Sequence, residues 1–118
     1  MPKAPRYGFI ITSSSTSVKD PGQLLRAAMA KAKEHNPVGI FLIGDGVLIA
    51  ASDPKRNPAT KTLIVAIAAG AKVFVSRDHL DATGLTKKKL VKGTKLVEKP
   101  YKELVAKVME DWDRVVVC

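Results

Sequence analysis

The stretch Val38–Ile43 (VGIFLI) is six residues long and carries no polar side chain. A strand that is apolar at every position needs cover on both faces, which is the habit of a parallel sheet sandwiched between helices. Four other short segments can join it: Tyr7–Thr12 (YGFIIT), Lys72–Ser76 (KVFVS), Lys95–Glu98 and Arg114–Cys118 (RVVVC). Helical spacing fills the gaps between them. Asp20-Pro21-Gly22-Gln23 opens the first helix, with Asp as N-cap, Pro at the first position and Gln three residues after the cap. Leu24, Leu25, Ala28, Met29 and Ala32 recur at helical spacing until His35-Asn36-Pro37 ends the helix, because the residue before proline resists the α conformation. Val47–Ala51 reads as a short helix, and Thr60–Ala69 as a very apolar one closed by Gly70. Asp81–Leu85 and Thr86–Val91 read as helical turns around Gly84, ending at Gly93. Pro100–Trp112 reads as a final amphipathic helix, with Tyr101, Leu104, Val105, Val108 and Met109 on one face. Strands alternating with helices predict βαβ units and a mainly parallel sheet. No repeat or linker divides the chain, so residues 1–118 read as one domain.

Composition narrows the function classes. Hydrophobic residues make up 46% of the chain, which excludes a disordered polymer, while only 5% are aromatic, which calls for an aliphatic core. No apolar run approaches the roughly 20 residues of a membrane span, and Met1–Arg6 leads into the first strand without a signal-peptide core, so the expected location is cytoplasmic. With one cysteine, Cys118, and two histidines, His35 and His79, neither a disulfide nor a conventional zinc cluster is expected, and no motif calls for a cofactor. The net charge of +9 is concentrated late: eight lysines lie between Thr86 and Lys107 against Glu98 and Glu103. Such a region attracts anions, tRNA or other RNA among them, or is simply a solvated face. The absence of interleaved aromatics and the near absence of arginine favour the solvated face. Only Asn36, Asn57 and Gln23 carry amide side chains, a scarcity that points toward a heat-adapted source.

In an open parallel sheet, chemistry gathers beyond the carboxyl ends of the strands. Three loops are expected there: Thr12–Ser17, Gly44–Val47 and Ser76–His79. The residues that carry a wider pattern are FLIGDGV at Phe41–Val47, AAGAKVFVSRDHLDATGL at Ala68–Leu85 and DWDRVVVC at the end. In order and spacing this pattern resembles the DsrE/DsrF/TusD (DsrEFH) group of sulfur-relay proteins, along nearly the whole chain. The resemblance implies a three-layer α/β/α sandwich around a five-stranded sheet, assembled into trimers or hexamers or paired with paralogous subunits. It also implies persulfide chemistry on a cysteine in the loop after the third strand. Here that position holds Ser76, with His79 where a second cysteine sometimes stands. Thr83 replaces the usual Arg, while Gly84 and Leu85 match. A hydroxyl cannot form a persulfide, because the relay needs a thiolate to attack and release sulfur.

The catalytic candidates are therefore Ser76, His79 and Cys118, and the ligand-binding candidates are Ser13, Ser14, Asp45, Ser76, Arg77 and His79. Each has a structural alternative. Cys118 can end an apolar strand, Asp45 can serve a turn between two glycines, and Ser13–Ser17 can be a solvated loop rather than an anion seat. His79 fits either a site or a helix start. Two readings stand beside a non-catalytic, ligand-binding DsrE-like subunit. One is a small hydrolase using Ser13–Ser15, Asp45 and His79, although no Gly-x-Ser-x-Gly elbow is present. The other is RNA binding through Lys87–Lys107.

Overall fold

A computed structural model describes residues 5–12, 21–51, 55, 57–84 and 90–117. Its elements in chain order are β1 (Tyr7–Ile11), α1 (Pro21–Lys33), β2 (Val38–Leu42), a 3₁₀ turn (Gly44–Gly46), α2 (Val47–Ala51), α3 (Pro58–Ala68), β3 (Lys72–Ser76), α4 (Arg77–Ala82), β4 (Thr94–Val97), α5 (Pro100–Ala106) and β5 (Arg114–Val117). A single π-helical stretch, Lys107–Asp111, prolongs α5. The predicted cap Asp20 and the Ser13–Ser17 loop lie outside the described residues, as do Leu85, Lys87, Lys88, Lys89 and Cys118.

The five strands form one sheet in the order β4-β3-β2-β1-β5, and every pairing is parallel. β2 is central and all five of its residues are buried, as its unbroken apolar sequence requires. The chain steps from β1 through β4 in one direction. Right-handed crossovers therefore put α1, α2, α3 and α4 on one face. The step from β4 to β5 then reverses across the whole sheet, which carries α5 to the other face. The result is the α/β/α arrangement, with very unequal outer layers.

The thick side holds the main core: Phe9, Ile11, Ile40, Leu42, Val73 and Val75 from the sheet against Leu25, Ala28, Ile49, Leu63 and Leu80 from the helices. Its one buried polar helix residue, Thr60, is satisfied by donating from Oγ1 to the Ile49 carbonyl at 2.6 Å. The thin side buries only Ile10, Phe41 and Val97, with Ile43, Phe74, Leu104 and Trp112 packed around them. Register explains how Trp112 fits. Gly8 pairs with Val115 and Gly39 with Lys72, and Gly8 and Gly39 are themselves partners, so two glycines stand side by side on this face. The indole lies across them. A Cβ added at Gly8 would run into the six-membered ring, and one at Gly39 would come within 2.8 Å of Nε1.

The apolar face predicted for the last helix is only partly used. Leu104 turns toward the sheet, whereas Tyr101 is 62% exposed, Val105 61% and Met109 78%. At the helix exit, Arg6 and Asp113 clamp β5 to β1. The Arg6 backbone N–H donates to Asp113 Oδ2 at 2.8 Å, its side chain to both carboxylate oxygens at 3.2 and 3.3 Å, and the Asp113 N–H returns to the Arg6 carbonyl at 2.8 Å. The Arg6 side-chain hydrogen bond, followed by its backbone N–H, holds the Asp113 carboxyl below its ordinary value.

Gly8→Ala is expected to cost about 1–3 kcal/mol, the usual range for overpacking, and to shift Trp112 emission to the red as the indole is lifted into water. Denaturant titration with fluorescence detection checks both. A carboxylate depressed by folding contributes stability above its unfolded value, near pH 4, and loses it as pH falls through the folded value. Asp113→Asn should therefore lower the thermal midpoint at neutral pH, with the gap to the wild type closing in acid. A pH series of thermal melts measures this.

Candidate functional site

β3 and β4 are neighbours whose chains leave in opposite directions: β3 runs into α4 on the thick face and β4 into α5 on the thin one. Adjacent strands that diverge this way open a crevice at their carboxyl ends, the habitual ligand position in an open α/β sheet. The expected Ser76–His79 loop is not a loop. β3 passes straight into α4, and Ser76 caps that helix, its Oγ accepting from the His79 N–H at 3.4 Å. Serine at a strand end is well suited to this, since its oxygen satisfies a donor that the first helical turn leaves unpaired. Ser76 is fully enclosed, with 0% of its surface exposed.

Arg77 and His79 are thereby set on the first turn of α4. Arg77 bridges the crevice to Glu98, just past β4, with Nη1 to Oε1 at 2.6 Å, and its Nε lies 3.9 Å from Asp81. His79 is half-buried. Its Nε2 lies 3.4 Å from the Tyr101 hydroxyl and the two rings meet edge to face, with centroids 6.0 Å apart. Its Nδ1 is enclosed and has no hydrogen-bond partner among the described residues. A buried imidazole nitrogen left unpaired is costly, and a ligand or ordered water is what normally satisfies it.

Asp45 sits exposed in the 3₁₀ turn after β2, which packs against α4. No hydrogen bond joins Asp45 to His79. The turn is held close to the sheet because Gly46 lies over the Ile11 carbonyl, where a side chain would strike backbone. Of the candidates from sequence, Ser76, Arg77 and His79 are thus together, with Asp45 on the adjoining turn, while Ser13, Ser14, Ser15 and Cys118 lie outside the described residues. Glu98 and Tyr101 complete the crevice and were not anticipated. Their role depends on the reversed β4-to-β5 crossing, which strand order reveals and local sequence does not.

The lysine-rich region divides. Lys92, Lys99 and Lys102 point to solvent, but the Lys107 side chain is only 15% exposed, 3.7 Å from Asp111 and 4.0 Å from the Phe74 ring centre. Among the described residues, no group of three or more His, Cys, Asp or Glu is placed to hold a metal, and no helix is long and apolar enough to cross a membrane.

Ser76→Ala is expected to destabilise the fold by about 1 kcal/mol through loss of the cap, without changing exposure of the neighbouring side chains. Denaturant titration against Ser76→Thr, which keeps the hydroxyl, separates the cap from packing.

Comparison with known proteins adds a family and a set of folds. A sequence-family model described as the DsrE/DsrF-like family matches residues 6–118. Among solved structures, the Escherichia coli protein YchN superposes with a TM-score of 0.80 at 18% identity, covering 97% of this chain and 99% of that one. MTH1491 of Methanobacterium thermoautotrophicum, itself described as of unknown function, gives 0.69 at 20% identity over 97% and 99%. The solution structure of Tm0979 from Thermotoga maritima gives 0.50 at 19% identity over 88% and 93%. At these identities the likeness concerns the fold. No curated protein sequence matches the chain.

Proposed function

We propose that this chain, which belongs to the DsrE/DsrF-like family, is a subunit that does not itself relay sulfur, works within an oligomer and keeps the β3–β4 crevice for ligand binding. Family membership relates it to sulfur-relay proteins. The observation that carries the reading is Ser76. Where the resemblance puts the sulfur-bearing cysteine, this chain has a hydroxyl that is enclosed and committed to capping α4. Oxygen in place of sulfur removes the polarisable nucleophile and leaving group that persulfide exchange requires. The unpartnered His79 Nδ1, beside Tyr101 and the Arg77–Glu98 pair, supports retained binding of a small polar ligand.

The oligomer is supported by the outward side of α5. Tyr101, Val105, Val108 and Met109 form an apolar stripe at helical spacing, and a contiguous exposed patch of this kind is typical of a subunit contact. The exposed valines of edge strand β5 lie at the end of the same helix.

The first test follows radiolabelled sulfur from an inorganic polysulfide. The intact chain is expected to pass no label to an acceptor thiol. Transfer through Cys118, abolished by Cys118→Ser, would overturn the non-relay reading. In sedimentation velocity the wild type should run as an assembled particle, and Val105→Lys with Met109→Lys as a monomer. A monomeric wild type would remove the oligomer from the proposal.

A further inference from the structure

The opposite, amino-terminal edge of the sheet holds a second cleft, on the thin face beneath α5 and remote from the His79 crevice. It has two adjoining lobes that share Lys72, Phe74 and Lys107. One lobe, of about 310 Å³, is walled by Trp112, with Asp111 at its side. The other, of about 450 Å³, is bordered by Lys95. These volumes fall in the range of small-molecule sites.

The sheet register fixes the cations. Lys72 and Phe74 alternate onto the same face of β3, and Lys95 is the direct partner of Phe74 on β4. The row through Lys95 continues as Phe74, Phe41 and Ile10. Two lysines thus emerge beside the apolar row of Phe74, Phe41 and Ile10, with Lys107 reaching down from the helix between them, and Arg6, paired with Asp113, also borders the Trp112 lobe. Neither Lys72 nor Lys95 has an ion-pair partner among the described residues, and Asp111 offsets only Lys107. A lysine on an edge strand is a common defence against strand pairing, which accounts for Lys95 on β4. It does not account for Lys72, because β3 is an interior strand. Like charges gathered on a partly enclosed apolar floor are stabilised by an anion. The Trp112 lobe beside them is lined by an indole and by the Asp111 carboxylate, an acceptor for a ring amino group.

We propose that this cleft binds a nucleoside monophosphate or a heteroaromatic anion of similar build, with its ring in the Trp112 lobe and its phosphate among Lys72, Lys95 and Lys107. The proposal is independent of the function assigned to the His79 crevice.

Trp112 is the only tryptophan in the chain, so its emission reports on this lobe directly. Titration with AMP at fixed ionic strength should change that emission saturably, with a matching dissociation constant by calorimetry. Adenosine and inorganic phosphate should each bind more weakly than AMP. Lys72→Ala and Lys95→Ala should each weaken AMP binding about tenfold, as expected for losing one charge-assisted contact, while Lys92→Ala, outside the cleft, should not. Both lysines are exposed, so the variants keep the core intact. No saturable response to AMP, a response that phosphate alone reproduces, or equal weakening by Lys92→Ala would each overturn the proposal.

Discussion

The indole of Trp112 resting on Gly8 and Gly39 is the contact on which the second half of the sheet depends. It packs against the thin-face cluster from outside the sheet, and it lies at the junction between α5 and β5. With it seated, the chain leaves the π-helical stretch at the height of Arg6, where the Asp113 clamp sets β5 against β1. Two glycines on adjacent strands give up side-chain packing and strand propensity, and the tryptophan fills the trough they leave. Sequence, register and closure of the sheet are thus tied at one place.

The same crossing shapes the chemistry at the two ends of the sheet. Because α5 must traverse from one edge strand to the other, it parts from α4 at the carboxyl ends of β3 and β4, which opens the crevice of His79 and Tyr101. At the amino ends its lysine-bearing last turn hangs over Phe74 without filling the space below. One topological reversal therefore produces both clefts, one with an imidazole and one with ammonium groups.

Much of this was legible in the chain. VGIFLI demanded a central parallel strand, and its first five residues, Val38–Leu42, became one with every residue buried, while Ile43 follows the strand half-buried. The helix predicted over Thr60–Ala69 runs Pro58–Ala68, because Asn57 is its N-cap, with its side-chain oxygen accepting from the Ala59 N–H and Pro58 at the first position. The polar run of Ser76, Arg77 and Asp78 has the composition of a loop. The capping role of Ser76 becomes visible only once the helix is known to start there. The pairing of Gly8 with Gly39 and their cover by Trp112 could not be read, since neither glycine sits in a local turn signal and their partner lies at the far end of the chain. The exposed side of α5 shows the limit of periodicity: helical spacing identifies an apolar stripe, not what it faces.

The unequal layers also imply an order of loosening. On the thick face, α1 packs on α3 and on β1 and β2, so amide protons there should exchange with solvent only through global opening. On the thin face α5 has few anchors beyond Leu104, Lys107 and Trp112, and β5 is an edge strand whose residues are all exposed. The segment from α5 to β5 can then detach as a unit while the four remaining strands stay paired. Such a sub-global opening would expose the glycine trough and dissolve both clefts together, so ligand occupancy at either one and the attachment of the carboxyl-terminal segment are thermodynamically linked.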